Sequence, residues 1–266
     1  GADVYVVQPT SPPADRHLFE LLLIADAARR AGAARVSAVV PYLGYARQDR
    51  RAAGREPVAA RVVADVIGAG SIDRLVVVDV HTPAIEGFFS MPVESLTAVP
   101  RLAEAVQEHV DADSVLVAPD LGAGKLAERY GRALHPPLPV AIVHKTRVSG
   151  SDVRVTRVTG DVRHRAPIIV DDMITTGATI EAAIDALLAE GSVPRITVVA
   201  SHGLLVGNAL ARLRPLPIRR IIVTDSVPVP DAVALAIQRV SVAPLLADAI
   251  RRLHANESLD ALILHR

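Results

Sequence analysis

Apolar residues along this 266-residue chain fall into two alternating rhythms. Short Val- and Ile-rich runs, continuous rather than alternating with polar residues, occupy 4–7, 35–40, 74–79, 114–118, 139–143, 167–170, 195–200 and 218–223, the form of strands buried on both faces. Between them, Ala- and Leu-rich stretches with apolar positions three and four apart predict helices over 15–31, 58–67, 99–109, 125–134, 178–190 and 242–253. Gly32 and Gly191 stand where the C-terminal caps of the first and fifth helices belong. Parallel strands need a crossover connection, normally a helix, so the alternation predicts an α/β protein built on mainly parallel sheets flanked by helices.

The two halves share a layout. A strand, a polar turn, a helix and a second strand occur at the start, and again from residue 167, with 29 positions from Val7 to Val36 and 26 from Val170 to Ile196. Two domains of one fold are expected, with a boundary near 92–100 and ligand sites on the loops beyond the carboxyl ends of the strands.

Composition narrows the function classes. Half of the residues are hydrophobic, enough to bury a large core in a chain of this length. Twenty-nine basic and twenty-nine acidic side chains cancel, so no long-range field draws the protein to nucleic acid or an anionic membrane, and any anion must be bound locally. The absence of cysteine excludes disulfides, thiolate nucleophiles and thiolate metal sites. No apolar run approaches the roughly 20 residues that span a bilayer, and the expectation is a cytoplasmic protein without signal peptide.

The most informative string is Ile168-Ile169-Val170-Asp171-Asp172-Met173-Ile174-Thr175-Thr176-Gly177-Ala178-Thr179: a strand, two carboxylates, a hydroxyl- and glycine-rich turn, then a helix. Backbone N–H groups and the positive dipole end at a helix N-terminus attract phosphate, with about 0.3–1 kcal/mol from the dipole alone at an exposed site. Thr175, Thr176 and Thr179 add hydroxyl donors, and Gly177 permits close approach of the backbone. Asp171 and Asp172, read as leaving the carboxyl end of the strand, can accept hydrogen bonds from sugar hydroxyls or hold a metal through water. Against an N-capped helix after an acidic turn, the whole string favours a socket for a phosphorylated ribose.

Four other loops carry chemistry. Arg47, Gln48, Arg50, Arg51 and Arg55 follow the second strand and offer fork-shaped donors to phosphate or purine, or else form a solvated turn or subunit contact. Asp79 and His81, two apart in extended backbone, point to one side and suit Mg²⁺ or a nucleotide phosphate; the commoner alternative is a histidine that merely ends a strand. Asp120, before Gly122, Ala123 and Gly124, repeats the strand, acid and glycine-turn scheme. His144, Lys145 and Arg147 lie in a basic loop before Gly150 that can close over a polyphosphate, or be a basic turn in solvent.

Together these strings resemble the ribose-phosphate diphosphokinase family, the phosphoribosyl pyrophosphate synthetases. QPTSPPADRHLFELLLIADAARRAGA, PYLGYARQDR, VVVDVHTPAIEGFF, APDLGAGKLAERY, HKTRVSG, GDV and IIVDDMITTGAT occur in the family's order and spacing, and SVAPLLADAIRRLHANESL is similar to its C-terminal helix. The likeness runs from Val4 to Leu262.

The resemblance implies two phosphoribosyltransferase-like domains: residues 1–96 on the ATP side, 97–242 on the ribose 5-phosphate side, and 243–266 as a C-terminal helix packing back on the first. It implies that Arg47, Gln48 and His81 contact ATP, and that His81 and Asp120 hold the Mg²⁺ bound to it. Lys145 and Arg147 would be the catalytic cations at the reacting centre. Asp171 and Asp172 would bind ribose hydroxyls, and Thr175, Thr176, Gly177, Ala178 and Thr179 would cradle the 5-phosphate. The implied reaction transfers the diphosphoryl group of ATP to the C1 hydroxyl of ribose 5-phosphate, giving 5-phospho-α-D-ribose 1-diphosphate and AMP, in a dimer or hexamer of identical subunits.

The chain departs from the family at Thr175, where many members carry an acid, at Ser90 after Phe88-Phe89, and at Ala123 between the two glycines. It also opens past the family's Phe-x-Asp-Gly-Glu segment, so the first domain is expected to be truncated at its start. A phosphoribosyltransferase that consumes phosphoribosyl diphosphate, and a catalytically silent regulatory homologue, are the alternatives.

Overall fold

The computed structural model describes residues 1–51, 53–147, 153–229 and 235–263. The chain divides into two compact units, one of residues 1–98 and 242–266, the other of residues 99–241.

The first unit is a four-stranded, wholly parallel sheet in sequential order: β1 (Asp3–Val7), β2 (Arg35–Val40), β3 (Arg74–Val78) and β4 (Val93–Leu96). The connections are α1 (Ala14–Arg30), α2 (Ala59–Gly68) and a 3₁₀ helix (Pro83–Phe88). α1 buries Leu21 and Ala25 and half-buries Leu18, Leu22 and Ala28, a stripe at helical spacing. α2 does the same with Ala60, Val63 and Ile67, and both stripes share a core with Val36, Ala38, Val40, Leu75 and Val77 of the strands. Asp15 in the first turn of α1 and Arg29 and Arg30 in its last match the helix dipole. Gly32, at φ +89°, ends the helix in the left-handed conformation that glycine adopts freely, as its position in the sequence predicts. The chain returns to this unit as α7 (Ala243–Ala255), after which the Thr97 amide donates to the Leu262 carbonyl and Leu96 bridges Ile263.

The second unit holds a seven-stranded sheet built from β5 (Ser114–Ala118), β6 (Val140–Arg147), β7 (Val153–Thr159), β8 (Ala166–Ile174), β9 (Ile196–Gly203), β10 (Ile218–Thr224) and β11 (Ile237–Val240). Their order is β11-β10-β9-β8-β5-β6-β7, parallel except for β7. Along the strands Val115, Val117, Ile169, Val198 and Ile221 face a core shared with α5 (Ala178–Ala189) and α6 (Ala209–Leu213). Their neighbours Leu116, Ile168, Val199 and Ile222 are equally buried, so both faces of this sheet are covered. α3 (Val99–Gln107) lies against β9 and β10, and α4 (Gly124–Ala133) against β5, β6 and β8.

The α/β reading holds, and the eight strands and six helices read from the pattern are all present. Three strands were not legible. β4 is four residues long and carries Glu94 and Ser95, and β11 is equally short. β7 is an edge strand with polar residues interleaved. α6 has five residues, too few for a periodicity to register.

Candidate functional site

The two units each present candidate residues on loops at the carboxyl edge of their sheet. In the first unit, β2 and β3 are neighbours, paired up to Val40 and Val77. The loop with Arg47 and Gln48 leaves the end of β2, and His81 follows the adjacent end of β3. Topology therefore brings these three residues to adjoining loops on one sheet edge.

The arginine loop stands on a buried foot. Tyr42, Leu43, Gly44 and Ala46 are buried while Arg47, Gln48, Arg50 and Arg51 are exposed. Thr10, 2% exposed, pins that foot: its amide donates to the Tyr42 carbonyl (2.9 Å), its hydroxyl donates to the same carbonyl (3.0 Å), and the Gly44 amide donates to its Oγ1 (2.7 Å). The chain passes so close to Thr10 that Gly44 has no room for a side chain. Farther on, the Gln48 carbonyl accepts from the Ala60 amide at the start of α2 (3.1 Å), which ties the loop down at its other end. Sequence reading passed over Thr10; only the fold brings it to a loop more than thirty positions away.

Asp79 is a correction. The strand ends at Val78, and Asp79 takes φ +39°, so Asp79 and His81 do not share one face of an extended segment. The Asp79 carboxylate is buried and accepts from Thr97 Oγ1 (2.8 Å) and the Ala98 amide (3.0 Å), which fastens the segment after β4. His81 is exposed and precedes the 3₁₀ helix, whose Ile85 is buried as an anchor.

In the second unit the decisive geometry is the unequal length of β5 and β8. They pair from Ser114 with Ala166 to Val117 with Ile169, and β5 stops at Ala118. β8 runs on to Ile174, supported on its other side by β9, where Asp171 pairs Ala200 and Met173 pairs His202. Asp171 and Asp172 therefore lie within the strand rather than beyond its carboxyl end, in the stretch where β5 no longer flanks it. This corrects the expectation that the strand stops at Val170. The turn after β5 holds Asp120, whose Oδ1 accepts from the Ala123 amide (3.1 Å).

At this edge the Asp171 carboxyl feels the charges of Asp172 and Asp120. Burial, then the neighbouring charge of Asp172 and a side-chain hydrogen bond with it, and then the charge of Asp120, push the Asp171 carboxyl well above the usual carboxylate range. The Asp172 amide, donating to Asp171 Oδ1 (2.9 Å), opposes that shift only in part. A carboxyl raised in this way is returned toward its charged form by hydroxyl donors or a cation.

Thr175, Thr176 and Gly177 form the turn between β8 and α5, followed by Ala178 and Thr179 as the first helical residues. Gly177 occupies the N-cap position at φ +77° and supplies no side chain, so no side-chain cap closes the mouth of α5. Thr176 and Ala178 are exposed, and Thr175 and Thr179 half-buried. The turn is held from behind, because the Leu205 amide donates to the Ile174 carbonyl and the Val206 amide to the Thr175 carbonyl, both at 3.0 Å. These backing residues were not legible from local pattern.

The basic segment at 144–151, expected as a loop, is a strand as far as Arg147. β6 pairs β5 only up to Ile142, then continues against antiparallel β7, with Lys145 opposite Val155 and Arg147 opposite Val153. The backbone of Lys145 and Arg147 thus lies on a two-stranded arm that overruns β5 at the same sheet edge as Asp120 and Asp171. Residues 148–152 lie outside the described residues.

Among the described residues no three or more His, Asp or Glu side chains converge as a metal-binding group, and no helix is long and apolar enough to cross a membrane. Asp120 in the second unit keeps one carboxylate oxygen outside its bond to Ala123. Oxygen donors in small number suit Mg²⁺, which takes one or two carboxylates together with substrate phosphates and water.

Comparison with known proteins agrees with this architecture. Residues 1–70 match the sequence pattern of the N-terminal domain of ribose phosphate pyrophosphokinase, and residues 151–264 that of the phosphoribosyl synthetase-associated domain. The ribose-phosphate pyrophosphokinase of Caldanaerobacter subterraneus subsp. tengcongensis is 42% identical over 264 residues, covering 98% of this chain and 83% of that protein. That of Bradyrhizobium diazoefficiens is 39% identical over 265 residues with the same coverage. The crystal structure of phosphoribosylpyrophosphate synthetase from Mycobacterium smegmatis superposes with a TM-score of 0.87 at 38% identity, covering 96% of this chain and 84% of that one. The chain belongs to the ribose-phosphate pyrophosphokinase family.

Proposed function

We infer that the chain is a ribose-phosphate diphosphokinase, transferring the diphosphoryl group of ATP to the C1 hydroxyl of ribose 5-phosphate with release of AMP. One observation carries the site assignment: a strand bearing paired carboxylates runs past its neighbour and turns directly into a helix whose glycine N-cap supplies no side-chain hydrogen bond. A sugar phosphate matches both features. The amides of α5 and the hydroxyls of Thr175, Thr176 and Thr179 receive the phosphate, and Asp171 and Asp172 accept from the ribose hydroxyls.

In the same reading Arg47, Gln48 and His81 bind the nucleotide, and His81 and Asp120 would each offer a ligand atom to Mg²⁺. When bound, Mg²⁺ supplies charge neutralisation for the polyphosphate. Lys145 and Arg147 match the negative charge on the transferred group, so the protein contributes alignment and electrostatics without a covalent intermediate.

Assembly into a homo-oligomer is part of the proposal. Phe19, Leu23 and Ile24 of α1 and Val62 and Val66 of α2 are 38–63% exposed, an excess of large apolar side chains on helices whose opposite faces already fill the core. A cytoplasmic location follows from the substrates.

The test is AMP and phosphoribosyl diphosphate formation from ATP and ribose 5-phosphate, abolished by EDTA and restored by Mg²⁺. Lys145→Ala is expected to lower kcat by about 100-fold or more with a much smaller change in ribose 5-phosphate binding. Diphosphate release that needs phosphoribosyl diphosphate and a nucleobase, without AMP, would establish the transferase instead. Inactivity of the pure chain, relieved on mixing with an active homologue, would establish a silent subunit.

A further inference from the structure

α6 packs on the first turn of α5 beside Gly177. A Cβ on Gly177 would lie 3.1 Å from Leu213 Cγ and 3.5 Å from Arg212 Cδ, so the Arg212 side chain runs past the residue that opens the helix. Arg212 Nη1 donates to Glu181 Oε2 at 2.5 Å, with the two side chains 37% and 36% exposed. Arg212 Nε is shut away from solvent and has no acceptor among the described residues, which leaves Glu181 as the carboxylate partner of this guanidinium there.

Glu181 is the acidic residue of the first turn of α5. For the helix alone a carboxylate there is favourable, since it meets the positive dipole end. For a helix that must receive a phosphate dianion on the same turn it is adverse, because like charges repel across a partly solvated surface. The arrangement resolves the conflict by pairing the carboxylate before the ligand arrives.

We propose that Arg212 is a positioning residue for the sugar phosphate: by holding the Glu181 carboxylate in an ion pair, it keeps that charge from opposing the phosphate dianion at the mouth of α5. The proposal rests on the assignment of residues 175–179 to ribose 5-phosphate. It distinguishes this phosphate mouth, charged by a glutamate and compensated by an arginine from another helix, from one that uses backbone amides and hydroxyls alone.

Arg212→Ala is expected to raise KM for ribose 5-phosphate roughly three- to tenfold, the scale of one uncompensated charge at a partly exposed site, with KM for ATP changed less than about twofold. The increase should shrink at high ionic strength. Glu181→Gln alone should leave KM for ribose 5-phosphate unchanged or lower it. The double variant should return to within about twofold of the parent, and Arg212→Lys should retain most of the affinity. A merely structural role in docking α6 predicts the reverse, a double variant as poor as Arg212→Ala or poorer, and that result would overturn the proposal. If Arg212→Ala fails to fold, Glu181→Gln decides: a raised KM for ribose 5-phosphate refutes the idea. Asp172→Asn separates the two levels. If it leaves KM for ribose 5-phosphate unaltered, the site assignment itself fails; if it raises KM while the Arg212 and Glu181 variants do not, only the charge compensation fails.

Discussion

Replacing Gly44 by alanine tests whether the arginine loop is positioned by its buried foot. A Cβ at Gly44 would stand 2.5 Å from the backbone carbonyl oxygen of Thr10 and 3.1 Å from the Ala14 Cβ at the start of α1. Ordinary carbon–oxygen contacts begin near about 3.3 Å, so the two backbone segments must part by about 0.8 Å. Neither can move cheaply, because the Thr10 amide and hydroxyl are bonded to the Tyr42 carbonyl and the Gly44 amide to the Thr10 hydroxyl. Overpacking of this kind costs about 1–3 kcal/mol, and a strained or lost hydrogen bond about 1 kcal/mol more. At roughly 2–4 °C per kcal/mol for a chain of this size, the unfolding transition should fall by roughly 4–16 °C. The displaced loop carries Arg47 and Gln48, and since misplacement by about 1 Å can cost a factor of about 100, KM for ATP should rise by about tenfold or more. The second unit is untouched, so KM for ribose 5-phosphate should stay within about twofold. Calorimetry and steady-state AMP formation measure all three quantities. A Gly44→Ala enzyme that melts with the parent and keeps its ATP affinity, or one whose two KM values rise together, would refute the reasoning.

Other outcomes follow from buried polar groups in the second unit. Because the Asp171 carboxyl is raised in the folded state, its contribution is fully present below the unfolded value of 3.8 and is lost as pH climbs through the raised folded value. Asp171→Asn removes that loss, so without ligands its melting temperature should gain on the parent as pH rises from the unfolded value of 3.8 toward the raised folded value, while ribose 5-phosphate affinity falls; parallel profiles would sink the assignment of the shift. Ser226, 1% exposed, bonds His202 Nδ1 and Thr224 Oγ1, both at 2.8 Å, so Ser226→Ala should cost about 1–3 kcal/mol in urea unfolding as those groups lose a buried partner. A loss below about 0.5 kcal/mol would mean that the two groups find other partners. Surface ion pairs behave differently: Arg251→Ala, which removes contacts to Asp248 and Glu257, should shift stability by less than about 1 kcal/mol, and a larger loss would contradict the exposure of that network.

What the sequence by itself determined is what rests on short-range periodicity and on ordered strings. Continuous Val and Ile runs and stripes three and four apart mark β2 and α5 because a doubly covered strand and an amphipathic helix leave those patterns within one element. Gly32 and Gly191, at φ +89° and +86°, were legible for the same reason, since a helix end that turns left-handed asks for glycine locally. The family could be read because seven separate strings in one order are far more specific than any single loop.

What only the tertiary structure decided lies between elements remote in sequence. Asp79 looked like half of a metal pair with His81, yet its carboxylate accepts from Thr97 and Ala98, and no local spacing records that bond. The strand bearing Asp171 and Asp172 runs on to Ile174 because β9 continues beside it, and Lys145 and Arg147 lie on a strand because β7 folds back against them. Likewise Thr10 meets Gly44 and Arg212 meets Glu181 across more than thirty positions. Periodicity encodes which face of an element is apolar, whereas the partner that a polar side chain or a strand edge finds is set by how the elements pack, and that is decided only when the chain folds.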